Sequence, residues 1–197
     1  MQALFTRIAK NKTIMTTTEN IKFIKLPESF KADLGSFSID PSIELPILLG
    51  KGKDKVEDKD LTVENIVAGM ISVIAHDKDN PNFSYYKAFV LASDPNIVEK
   101  LNQAAIAKEQ RKEFGFAEEL FLAVYHLLPQ SASCINLATL YSYLAVEARS
   151  KDEDDKPWIK KVRSTLLDGI ERFGEDEMIL SELFSFEAYM GNLEEAK

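Results

Sequence analysis

The sequence predicts an all-α protein, a row of antiparallel helix pairs preceded by an extended, non-helical segment. Three observations carry that reading. From residue 62 onward, apolar side chains recur at helical spacing. Breakers cut the pattern into short runs at Asn80-Pro81, Asp94-Pro95, Pro129, Pro157, Gly174 and Gly191. Small residues return at one offset: Ala104 and Ala138 stand 34 residues apart, as do Val162 and Ala196.

Residues 1–18 hold Arg7, Lys10 and Lys12, many threonines and no acid before Glu19. They read as a disordered tail. An over-extended gene start, with the true start at Met15, gives the same pattern, and so does an amphipathic targeting peptide. The apolar stretch at residues 3–5 is too short for a secretory signal.

Residues 19–61 form the extended segment and a charged loop. Pro27, Gly35, Pro41 and Pro46 punctuate it. Short β-type runs fall between the breaks, at Ile21-Lys22-Phe23-Ile24 and Phe37-Ser38-Ile39. Ile43, Leu45 and Ile47 alternate, but Pro46 should interrupt a regular ladder. The segment should lay its apolar side chains on the helical body, with room for one short hairpin. Residues 50–60 (GKGKDKVEDKD) read as a solvated loop.

The helical domain occupies residues 62–197. Thr62 is a good N-cap, and Ile66, Val67, Met70, Ile71, Val73 and Ile74 make a broad apolar face. Phe83, Tyr86, Phe89 and Val90 carry a second helix, so residues 62–93 form a first, degenerate pair. Asp94-Pro95 suits an N-cap and a first helical residue, starting a helix at 95 that runs to 112. Further helices follow at 116–128, 131–149, 157–173 and 176–190, with a stub from 192. Short connections imply antiparallel neighbours.

The pieces of this pattern match one another. Leu101, Ala104 and Ala105 mark a buried face. Ala117, Phe121 and Pro129 follow at helical spacing, and Asn136-Leu137-Ala138-Thr139-Leu140-Tyr141 alternates large, small and aromatic. Ala188-Tyr189-Met190-Gly191-Asn192-Leu193-Glu194-Glu195-Ala196 reads as the turn of a helical hairpin. These segments resemble the tetratricopeptide repeat, a helix–turn–helix unit of about 34 residues. The resemblance gives repeats at 97–130 and 131–174 and a partial one at 175–197. The middle repeat carries extra residues near 146–156, and has Gly169 and Gly174 where the family usually has Ala and Pro.

Composition bounds the function. The chain has 32 acids against 24 bases and no basic stripe, which argues against a nucleic-acid partner. No apolar run reaches bilayer length, so no membrane partner is expected. One cysteine, Cys134, permits no internal disulfide and fits a reducing, cytoplasmic setting.

The residues that suggest chemistry do not assemble it. Two histidines, His76 and His126, and Cys134 do not make a zinc site. His76 suits a helix C-terminus, while His126 and Cys134 suit packing. Asp77-Lys78-Asp79-Asn80-Pro81-Asn82 lacks the glycine and the glutamate of a calcium loop. Gly50-Lys51-Gly52-Lys53 lacks the spacing of a phosphate loop. Glu118-Glu119 and Glu194-Glu195 should fall on outward faces and form no acid–base dyad. No catalytic residue, metal or cofactor is expected, and an enzyme is the least favoured class.

The resemblance implies a right-handed solenoid that binds a protein or peptide on a concave face lined by first helices. Its candidate positions here are Asn102, Ile106, Glu109, Thr139, Ser142, Tyr143, Ser181, Ser185 and Tyr189. Only Asn102 and Asn136 approach the cluster by which some family members clamp an acidic C-terminus, and Glu182 would repel one. The chain is therefore expected to be a non-catalytic scaffold or adaptor of another kind. The alternative is a regulatory module of a larger protein. An incomplete last pair would expose Leu180, Leu183, Phe184 and Phe186, a route to self-association.

Overall fold

The computed structural model describes residues 20–27, 30–50 and 52–191. The tail expected at 1–18 and the stub expected from 192 lie outside them. The described chain is mostly helical, with seven α-helices and one two-stranded sheet. It divides into two compact units, Met1–Leu127 and Leu128–Lys197.

In the first unit, β1 (Ile21–Ile24) and β2 (Leu45–Leu48) precede a 3₁₀ turn at Asp58–Asp60 and four helices. These are α1 (Val63–His76), α2 (Phe83–Ser93), α3 (Ile97–Gln110) and α4 (Phe114–Leu127). Thr62 caps α1 by accepting the Asn65 backbone N–H. Ile66, Val67, Met70 and Ile74 of α1 are fully buried. That helix packs on β2, α2 and α4, which explains an apolar surface broader than one stripe. At Gly69 an added Cβ would lie 2.5 Å from the Pro46 carbonyl oxygen.

Pro46 does not prevent the ladder. β1 and β2 pair antiparallel with Phe23 opposite Pro46. The Leu49 N–H donates to the Asn20 carbonyl, and alternation then makes Phe23 and Pro46 a non-hydrogen-bonded pair. The donor that proline lacks would have pointed away from β1. The second β-type run is not a strand. Phe37 instead packs its ring 5.3 Å from Tyr85 and 5.6 Å from Phe89, while the Tyr85 hydroxyl accepts the Asp40 N–H. Leu34, Leu45, Ile47 and Leu49 are buried. The charged loop is tied at its end, with Lys53 Nζ 2.8 and 3.0 Å from the Asp60 carboxylate oxygens.

α3 begins two residues later than Asp94-Pro95 suggested. Asp94 Oδ1 still accepts the Asn96 N–H, inside a tight turn ahead of the helix, and its other oxygen holds Lys100 at 2.5 Å. α3 and α4 pack along each other across a turn that uses Lys112 at φ 59. Lys108 is buried there, with Nζ 2.5 Å from Glu113 and 4.6 Å from the centre of the Phe116 ring. α1 rests on α4, the second helix of that pair.

The second unit holds α5 (Ser131–Ser150), α6 (Lys156–Phe173) and α7 (Glu177–Tyr189). α5 and α6 pack extensively along each other, and α7 packs on both. Buried Leu137, Ala138, Leu140 and Tyr141 of α5 lie in the same unit as buried Val162 and Leu166 of α6. Trp158 stacks on Tyr141 at 6.2 Å, with Lys161 Nζ over both rings. At Gly169 an added Cβ would lie 2.5 Å from Cys134 Sγ.

Candidate functional site

Two surfaces of the second unit combine exposed apolar groups with polar ones. The first follows from how α7 is seated. Gly174, at φ 76, ends α6. Asp176 caps α7 by accepting the Met178 and Ile179 N–H groups, and its other oxygen accepts the Ser131 hydroxyl at 2.6 Å. That hydroxyl and those N–H groups hold the Asp176 carboxyl below its usual range. Further along, Arg163 of α6 grips Glu187 of α7 with two hydrogen bonds, 2.5 and 2.7 Å long. Glu187 is almost fully buried, so this pair fixes the register of α7 against α6.

The first surface is a cleft of about 60 Å³ between α5 and α7, room for roughly two waters. Ser142, Ala145, Val146 and Arg149 line one side and Phe186, Tyr189 and Met190 the other. Val146 is 47% exposed and Tyr189 64%. Arg149 binds Asp155 through Nε at 2.8 Å and reaches Met190 Sδ at 3.8 Å.

The second is a shallow groove of about 410 Å³ along one stripe of α6, lined by Lys156, Ile159, Lys160, Arg163, Ser164 and Leu167.

Of the nine positions named from sequence, Ser142 and Tyr189 line the cleft together. Thr139 and Tyr143 are exposed on α5 without lining it, and Ser181 and Ser185 are exposed on α7. Asn102, Ile106 and Glu109 lie in the first unit, along one side of α3. Ile106 is exposed, Asn102 and Glu109 are half-buried, and burial raises the Glu109 carboxyl above its usual range. Sequence reasoning missed Ala145, Val146 and Arg149, although they continue from Ser142 at helical spacing. It also placed Phe186 on an exposed face. Phe186 is buried and lines the cleft, Leu183 is half-buried, and Leu180 and Phe184 remain exposed.

Glu119 is a second correction. It does not face outward. Burial raises its carboxyl above the usual glutamate range, opposed by a hydrogen bond with Ser72 and by His76, both on α1. The reason is its place on α4, seven residues before His126, on the side that meets α1. His126 Nδ1 lies 2.6 Å from the Ile74 carbonyl. A carbonyl only accepts, so that nitrogen carries the proton. Cys134 is fully buried, its thiol donates to the Thr165 carbonyl, and burial pushes its pKa up to about 11.

Among the described residues, no group of three or more His, Cys, Asp or Glu is placed to hold a metal ion. No described helix is long and apolar enough to cross a membrane. The fold and surfaces define a mostly helical chain with apolar clefts on its second unit. No protein-family model, curated protein or solved structure matches the chain.

Proposed function

We propose that this chain is a non-catalytic scaffold of the tetratricopeptide-like class, which holds a peptide segment of a partner protein against its helices. The observation that carries the proposal is the cleft between α5 and α7. Ala145, Val146 and Phe186 supply apolar lining, and Ser142, Arg149 and Tyr189 supply groups able to hydrogen-bond. An apolar anchor flanked by groups able to hydrogen-bond is the usual anatomy of a peptide pocket. The seating of α7 on both helices of the preceding pair supports stacked hairpins. In the first unit α1 rests on α4, so support for a regular array comes from the second unit. The single buried cysteine supports a reducing, cytoplasmic setting.

The test compares proteins captured from cells by the wild-type chain and by Val146→Asp and Tyr189→Ala. Both side chains are exposed, so folding should survive and be verified by circular dichroism. The reading expects a reproducible partner that Val146→Asp loses and Tyr189→Ala weakens. Identical captures by all three would place binding elsewhere. A clear substrate turnover by purified protein would overturn the non-catalytic part.

A further inference from the structure

We propose that the α6 groove is a second docking surface, and that its occupant is an acidic amphipathic helix of a partner protein. This goes beyond the reading above, because the groove shares no lining residue with the α5–α7 cleft.

Charge is the first argument. The chain carries −8 overall, yet α6 holds five bases, Lys156, Lys160, Lys161, Arg163 and Arg172, against two acids, Asp168 and Glu171. Lys161 is turned onto the rings of Tyr141 and Trp158, and Arg163 is engaged by Glu187. Lys156 and Lys160 have no ion-pair partner among the described residues, and both are exposed. They sit one turn apart along the groove lining. Unpaired lysines on an acidic protein cost little in water, so their effect appears when an anion is brought to them.

Shape is the second. Ile159 lies between the two lysines and Leu167 two turns beyond it, with Leu167 55% exposed. Residues 156, 159, 160, 163, 164 and 167 repeat at i, i+3, i+4, i+7, the footprint of a helix laid along a helix. The occupant should thus set apolar side chains against Ile159 and Leu167 and carboxylates against Lys156 and Lys160. A basic helix would meet those lysines with like charge. Asp152, Glu153, Asp154 and Asp155 stand just before α6, Asp155 paired with Arg149, so the ligand's own acids should lie alongside α6 from Lys156 onward and not against the segment before it.

The experiment uses the full chain and two synthetic 16-residue peptides labelled with fluorescein. Both carry leucine at i, i+3, i+4 and i+7; one has glutamate at the flanking positions and the other lysine. Fluorescence anisotropy at low and high salt measures binding. The proposal expects the glutamate peptide to bind at least tenfold tighter than the lysine peptide, with the difference shrinking in salt. Lys156→Glu/Lys160→Glu should reverse the preference, and Leu167→Ser should weaken both peptides. Equal binding of both peptides, or no response to the charge reversal, overturns it. Binding of the glutamate peptide only after deletion of residues 192–197 also overturns it, since the chain's own Leu193-Glu194-Glu195 would then be the occupant. Val146→Asp should leave anisotropy unchanged, so failure here and failure of the cleft reading are separable.

Discussion

Gly169→Ala in α6 should destabilise the second unit, and removing one sulfur atom should largely undo the damage. The new Cβ would lie 2.5 Å from Cys134 Sγ and 3.1 Å from Ile179 Cδ1. Real carbon and sulfur atoms do not approach so closely, so something must move. Cys134 is fully buried and its thiol is committed to the Thr165 carbonyl. Overpacking of this kind costs about 1–3 kcal/mol. Alanine recovers about 0.8–1.0 kcal/mol of that through helix propensity. Both neighbours, Cys134 and Ile179, are fully buried and have no room to swing aside, so the cost falls in the upper part of that range and the net loss should be about 1–2 kcal/mol. Cys134→Ala alone opens a small void and should cost about 1 kcal/mol. In the double variant the alanine methyl enters the space the sulfur left. Stability should return close to wild type, a favourable coupling of about 2–3 kcal/mol.

Trp158 makes the assay specific. It is the only tryptophan and stacks on Tyr141, so its fluorescence reports the α5–α6 pair. With a urea slope of about 1 kcal/mol/M, Gly169→Ala should lower the midpoint by roughly 1–2 M. An unchanged or raised midpoint, or single losses that simply add, would refute the reasoning. A glycine stands at 169 because the sulfur of Cys134 fills the space a methyl would take.

Other perturbations follow from the same geometry. Gly69→Ala should cost about 1–2 kcal/mol despite its propensity gain, because the Pro46 backbone stands 2.5 Å from the added Cβ. Gly115→Ala in α4 meets nothing within 4 Å and should gain about 0.5 kcal/mol, both measured by thermal melts. Glu119 binds its proton more tightly folded than unfolded, since burial raises its carboxyl. Its burial therefore subtracts stability as pH rises from the ordinary glutamate value through the raised one. Glu119→Gln should melt higher than wild type above that window and lose the advantage below it; a pH-independent difference would contradict this. With a pKa of about 11, the Cys134 thiol is about one part in a thousand thiolate at pH 8, and it is buried. Iodoacetamide should label it only in denaturant, as mass spectrometry would show.

What sequence made legible was local. Thr62 caps α1 because a short side-chain oxygen three residues ahead of an N–H suffices, whatever the rest of the fold does. Gly174 ends α6 for the same kind of reason, since the chain needs a positive φ there. Pro46 misled because the rule against proline in a ladder concerns donors that point at a partner. Which way a donor points depends on register, and register was set here by pairing with a strand twenty-one residues upstream, Ile24 against Leu45.

The candidate site divides along the same line. The stripe Ser142, Ala145, Val146, Arg149 belongs to one helix and was available to spacing alone. Its opposite wall was not. Tyr189 and Phe186 reach the cleft because α7 is held at one register, and the anchor is Arg163 on Glu187, a contact 24 residues long in sequence. Nothing local marks Glu187 for burial, as it follows Phe186 and resembles the exposed Glu177 on the same helix. Glu119 escaped notice for the same reason. A glutamate on an amphipathic helix goes to solvent unless another element supplies a polar partner, and Ser72 and His76 lie on α1, more than forty residues away in sequence. The contacts that hold the cleft's second wall and that bury Glu119 are thus polar pairs made across elements. Periodicity tracks apolar stripes and is blind to such pairs. Register-setting contacts such as Arg163 with Glu187 are accordingly where substitutions should alter the cleft without touching its lining.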